Sequence, residues 1–237
     1  MSPDEFQTAI DRLRSAAPRD SQLAEPFVEL FQVSGTSVST IGDLLGSQTV
    51  SATNRQAARL DEVQFDLGEG PCWDAIGSGA PVLEPDFRTR GWKEWPAFTA
   101  AIAGDPVTSL FAFPMLIGPL KVGAVDLYAA SHMELGDVEC RRAAVMADVV
   151  GRRILEAALV DTAEEYREDT SNPFSRRLVH QATGMVLAQL GVTADDAVLV
   201  MQAHAFGSGL SMMDVAHRIL DGELDFSVHD GSIEDSQ

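Results

Sequence analysis

Cysteine is scarce in this 237-residue chain, and so is positive charge. Cys72 and Cys140 stand far apart, and neither belongs to a CxxC or His/Cys set with metal-ligand spacing. That argues against a structural zinc site and for two reduced thiols. No apolar run approaches the roughly 20 residues that span a bilayer. Residues 1–11 are polar and acidic, unlike a basic-then-apolar signal peptide, so a cytoplasmic protein with no membrane partner is expected. No Lys-Ser/Thr follows the stretch Gly68-Glu69-Gly70, which excludes a phosphate-cradling P-loop. No internal repeat is visible. Seventeen basic residues face 36 acidic ones, a net charge of −19. Phosphate attraction dominates nucleic-acid affinity, so the chain as a whole is a poor polyanion binder.

The imbalance is uneven. Residues 172–220 hold three arginines (Arg176, Arg177, Arg218) against three aspartates (Asp195, Asp196, Asp214), whereas residues 221–237 hold six acids and no base. The near-neutral segment is the least repulsive part of the chain.

Hydrophobic residues make up 45% of the sequence, enough for a buried core, and the length fits one or two domains. Phe6, Ile10 and Leu13 repeat at helical spacing until Pro18, and Leu23, Phe27, Leu30 and Phe31 mark a second helix. Residues 38–45 and 48–53 read as partner strands across Gly46-Ser47. A short helix or loop is expected over 56–65, a helix over 72–78 behind Pro71, and a short strand over 81–85. Trp92, Trp95, Phe98, Ala101 and Ile102 predict one amphipathic helix. The apolar stretches 109–117 and 122–129 read as central strands. Pro114 implies a bulge or a position whose N–H needs no partner.

A long helix is predicted over 136–167, capped by Asp137, with Val138, Val145, Met146, Val149, Val150, Ile154, Leu155 and Leu159 on one broad apolar stripe. At about 1.5 Å per residue it is longer than one small domain needs. Part of the stripe should pack on the sheet and part on another chain. A linker is expected over 161–174. Three short helices then cover 175–190, 195–206 and 211–220, with Thr193 and Ser211 as N-caps and glycines ending each helix. Residues 227–237 are polar and acidic and predict disorder. The fold class is α+β, with an extension (1–21), a sheet-containing domain (22–160) and a helical module (175–226).

Two motifs carry a family resemblance for residues 22–160. The stretch Leu67-Gly68-Glu69-Gly70-Pro71-Cys72-Trp73-Asp74 looks like a loop of GAF domains paired with ANTAR modules in actinobacterial regulators, and Gly123-Ala124-Val125-Asp126-Leu127-Tyr128 is similar to their central strand. The resemblance implies an antiparallel sheet flanked by helices. It also implies a small-molecule pocket over that sheet, lined by Phe65, Cys72, Trp73, Trp92, Phe111, Phe113 and Asp126, though core packing is the simpler reading of the aromatics. The fold does not choose the ligand, so no cofactor is named. Cys72 opens a helix, where the dipole would lower a thiol pKa. Glu69 and Asp74 lack a third catalytic group and read as a solvated loop.

In the last quarter, Gln181-Ala182-Thr183-Gly184-Met185 with Asp214-Val215-Ala216 resembles the ANTAR family. That resemblance implies a homodimer gripping paired RNA hairpins in nascent transcripts and thereby controlling termination. Carried over by residue, the RNA contacts fall on Arg176, Arg177, Gln181, Thr183, Gly184, His204 and Arg218. Thr183, Gln202 and Leu210 stand where family members carry basic or Asn residues, which weakens the salt-dependent part of affinity. Val145, Val149 and Leu159 are the expected dimer and coupling residues. The expected function is a non-enzymatic, signal-responsive antiterminator. The alternatives are a protein-interaction module, and a thiol redox sensor or sulfoxide reductase built on Cys72.

Overall fold

The computed structural model describes residues 2–16, 21–41, 45–161, 176–229 and 232–236. The chain divides into two units, Met1–Phe174 and Ser175–Gln237. The expected linker and the helix end beyond residue 161 lie outside the described residues.

The first unit is a five-stranded antiparallel sheet with a helical layer on each face. In chain order it contains α1 (Pro3–Ser15), α2 (Glu25–Phe31), β1 (Gly35–Thr40), β2 (Gln48–Ala52), α3 (Arg55–Leu67), α4 (Pro71–Ser78) and β3 (Val82–Glu84). There follow α5 (Phe87–Glu94), α6 (Pro96–Ala101), β4 (Ser109–Ile117), β5 (Leu120–Ala129) and α7 (Asp137–Asp161). Spatial strand order is β2-β1-β5-β4-β3, so β5 lies at the centre, between β1 and β4.

Strand alternation sends side chains to two different cores. One face carries Val38, Phe111, Phe113, Met115, Val125 and Leu127 against α1, α2 and α7. The opposite face carries Leu110, Ala124, Asp126 and Tyr128 toward α3, α4 and α6. The amino-terminal helix is therefore no loose extension: Ala9, Ile10 and Leu13 are buried in the first of these cores. Pro114 pairs with Ala124 of β5 but lies past Ala112, where β3 pairing stops, so its missing donor has no neighbour to serve on that edge.

Three local expectations need correction. Residues 55–67 are a full helix, capped by Asn54, whose side chain accepts from Ala57 N. The tryptophan-rich segment is two helices, because Pro96 cannot continue α5 and instead starts α6. Asp137 is the first helical residue of α7 rather than its cap, and Glu139 Oε2 reaches back to accept from Gly136 N at 2.9 Å.

Along α7 the apolar stripe splits. Met146, Val150 and Ile154 are buried, and Gly151 brings the helix so close to β4 that a Cβ there would lie 2.9 Å from Met115 Cβ. Val149, expected with Val145 and Leu159 at a dimer contact, is instead half-buried against the sheet core, and Leu155 is half-buried. Val138, Val145 and Leu159 are exposed.

The second unit contains α8 (Arg177–Leu190), α9 (Ala194–Ser208) and α10 (Met212–Leu220). Thr193 Oγ1 accepts from Asp196 N, and Ser211 with Asp214 makes a reciprocal capping box, as their spacing predicts. Its core joins Val179, Ala182, Val186, Met201, Val215 and Ile219. The tail is not disordered throughout: β6 (Asp225–His229) and β7 (Ser232–Ser236) form an antiparallel hairpin, with Leu224 and Phe226 buried in this core. No single described helix is long and apolar enough to cross a membrane.

Candidate functional site

The glycine-rich loop between α3 and α4 is held in place by its polar side chains. Gly68 ends α3 in the left-handed conformation, and Gly70 has φ +140°. A Cβ on Gly70 would lie 2.4 Å from Gln64 Oε1, so glycine lets the Gln64 amide reach across the loop. Gln64 Oε1 accepts from Cys72 N at 2.9 Å, its Nε2 donates to Asp126 Oδ2 at 2.6 Å, and its backbone carbonyl accepts from Trp73 Nε1 at 2.8 Å. Glu69 and Asp74 are not idle. Glu69 Oε1 accepts from Phe98 N in the first turn of α6, and Asp74 Oδ2 accepts from Trp95 Nε1, each at 2.9 Å.

Beside Gln64 lies a second buried carboxyl. Asp61 Oδ1 accepts from Ser37 Oγ at 2.7 Å and Oδ2 from Thr49 Oγ1 at 3.0 Å. Burial pushes the Asp61 carboxyl well up, and the Asp126 charge adds to this. Burial likewise raises Asp126 to about 7, against the opposing pull of its Gln64 hydrogen bond. Neither Asp61 nor Gln64 was singled out from sequence. Their signal was available: both are polar and sit on the apolar side of α3, among Ala57, Leu60 and Phe65.

The seven expected pocket residues do not converge. Phe65, Cys72 and Trp73 pack together with Ile41, Ile76 and Ala124, and Asp126 faces the same side. Phe111 and Phe113 belong to the opposite core, because their odd positions in β4 point to the α7 side. The Trp92 side chain lies outside the described residues. Cys72 is fully buried, and burial first, then the Asp126 and Asp61 charges, push its thiol well up. The helix-start expectation of a lowered thiol pKa is thus overturned by desolvation. Cys140 packs against the other core from α7, with Sγ 3.5 Å from Leu135 O, so the sheet separates the two thiols.

In the second unit, Gln181 and Gly184 are exposed nearly one turn apart on α8, and a Cβ on Gly184 would meet open space. Thr183 points inward instead: it is 7% exposed, donates to Val179 O at 2.8 Å and lies 3.6 Å from Met201 Sδ. Its place next to Gly184 in sequence turns it to the other side of the helix. Arg176 is also buried, at 7% exposure, and the Arg177 side chain lies outside the described residues. His204 is half-buried, edge-on to Phe226 with ring centroids 5.7 Å apart. Arg218 is half-buried on α10. Two apolar side chains missed from sequence stand on the outer face of α9, Leu199 and Phe206, the latter 74% exposed.

Residues 174–220 match the family described as the ANTAR domain. The carboxyl-terminal unit contains an ANTAR domain. The ANTAR match spans all three helices of that unit, α8 to α10.

The first unit has the GAF fold. It is similar to the GAF domain of a phosphoenolpyruvate-protein phosphotransferase from Acinetobacter (TM-score 0.53, 12% identity, covering 68% of this chain and 98% of that one). It is also similar to the corresponding domain from Coxiella burnetii (TM-score 0.52, 10% identity, 66% and 94% covered). At such identities only the fold is shared. No curated protein matches the chain. A GAF unit joined to an ANTAR domain is the architecture of a regulator.

Proposed function

We propose that this protein is a cytoplasmic, signal-responsive antiterminator. A homodimer grips paired RNA hairpins through its two ANTAR domains, and the GAF unit gates that grip. The observation that carries the reading is the ANTAR match over residues 174–220, joined to a sheet domain whose last helix exposes apolar side chains.

Looped-out bases are recognised by polar and stacking side chains, and phosphates by basic ones. Gln181, His204 and Arg218, with the backbone near Gly184, supply the polar part, and Arg177 one further cation. Thr183 and Arg176 support α8 rather than touch RNA, in line with their burial.

Val138, Val145 and Leu159 fall on one face of α7 at spacings of seven and fourteen residues, the pattern of a helix-helix seam. Pairing of this seam between two copies would set the spacing of the two ANTAR domains. Val145 is 48% exposed, so Val145→Glu leaves the core intact. In this variant, sedimentation should show a monomer with unchanged melting temperature, and affinity for a two-hairpin RNA should fall at least tenfold while a single hairpin is little affected. A dimer with full affinity would sink the seam. A protein partner in place of RNA is the competing reading, favoured by the exposed Leu199 and Phe206. Hairpin binding absent even at low salt would select it.

A further inference from the structure

The hairpin-binding reading makes no use of the buried polar groups beneath α3 and α4. Asp126 interrupts the inner register of β5 between Ala124 and Tyr128. Its Oδ2 takes the Gln64 amide, while its Oδ1 is buried with no hydrogen-bond partner. A buried carboxylate oxygen left unpaired is expensive, and native interiors rarely retain one without a reason.

The surroundings offer no compensating positive charge. From α3, Asp61 and Gln64 face Asp126, and Glu62 adds negative field at Asp61. From α4 comes the buried Cys72 thiol, which feels both carboxyl groups. The strands contribute Ser37 and Ser39 from β1, Thr49 from β2 and Ala112 from β4. Among the described residues, no lysine, arginine or histidine acts appreciably on Asp126 or Asp61. Two neighbouring carboxyl groups in such a place cannot both ionise cheaply, and they titrate as a pair.

We propose that Asp126 and Asp61 form a proton-binding site, and that the proton is a ligand sensed by the GAF unit. The step is simple: hydronium gives up a proton, one carboxylate oxygen gains an O–H bond, and water is released. Asp126 Oδ1 is the oxygen with no other claim on its lone pairs. Gln64 carries the change outward, since the same side chain binds Asp126 and the Cys72 amide while its backbone holds Trp73. Loss of the Asp126 proton places a negative charge at the α3–sheet contact, beside the Asp61 carboxyl, and loosens the start of α4. This inference rests on the reading of the first unit as a sensor.

Infrared spectra of the full chain between about pH 5 and 9 test it, because a protonated buried carboxyl has its own carbonyl band. The part of the band that belongs to Asp126 should disappear with a midpoint near pH 7, the value at which burial sets it, while Asp61, pushed well higher, keeps its proton. That step should be missing in Asp126→Asn, which keeps only the Asp61 carboxyl. In Asp61→Asn the whole band should vanish with its midpoint still near pH 7, because burial and the Gln64 hydrogen bond set Asp126. Protection of the Cys72 amide and the Trp73 indole N–H against hydrogen exchange, relative to the intrinsic rate at each pH, should fall over the same range in the natural sequence but not in Asp126→Asn. No band at the acid end, or a loss near pH 7 that persists in Asp126→Asn, overturns the site. If Asp126→Asn does not fold, a band in Asp61→Asn that shows no loss near pH 7 overturns it. Equal affinity for hairpin RNA at both ends of the range overturns the proton as the sensed signal. Failure to bind RNA at every pH instead overturns the antiterminator reading, while the infrared band still decides the site.

Discussion

At the scale of single residues, Gly70 and Asp126 show how much one position can set. Gly68 and Gly70 both have positive φ, but only at Gly70 would a side chain strike a neighbour. Gly68→Ala should cost about 1 kcal/mol, from the left-handed backbone alone. Gly70→Ala should cost about 3 kcal/mol, since its backbone strain is larger and Gln64 must give way. Urea denaturation of both variants checks the order. Asp126 makes a prediction about pH. Its folded value of about 7 stands above the roughly 3.9 of an unfolded aspartate. A raised carboxyl favours the folded state most below the unfolded value. That contribution is lost as pH rises through the interval between the two, and nothing further changes above the folded value. The stability difference between the natural chain and Asp126→Asn should therefore slope downward from about pH 4 to 7 and then flatten. A difference that is flat from about pH 4 upward would show an ordinary carboxyl.

Elements were more legible than sites. The caps at Thr193 and Ser211 and the glycines after α8 and α9 fix their helices by local chemistry, so sequence located them. Ser211→Ala should cost about 1 kcal/mol, read as a lower melting temperature of the ANTAR unit. The division of α5 from α6 was missed because the aromatic spacing across Pro96 looks continuous, although the ring of proline must break it. The hairpin β6–β7 was missed because its composition is acidic and polar. Its order comes from Phe226, buried under His204, and from Gln189, whose side chain donates to the Asp225 carboxylate. Phe226→Ala should cost about 3 kcal/mol and release the hairpin, seen as sharpened amide resonances over 225–236.

For the molecule as a whole, charge sets the expectation for RNA. The ANTAR domain has only three arginines, and Arg176 is buried. With at most two arginine–phosphate contacts per copy, the slope of log affinity against log salt should be no steeper than about −2 per protomer. A much steeper slope would place cations of the first unit on the RNA. Sequence by itself determined the two-part organisation, the central strands, the ANTAR helices and their caps, because periodicity, turn residues and capping spacings act within a few residues. Only the tertiary structure decided which side chains share a site. Strand parity sent Phe111 and Phe113 away from Cys72, helical phase turned Thr183 inward, and burial reversed the expected acidity of the Cys72 thiol. The pairing of Asp61 with Asp126 joins a helix to a strand more than sixty positions later, and desolvation there depends on every element stacked above the sheet.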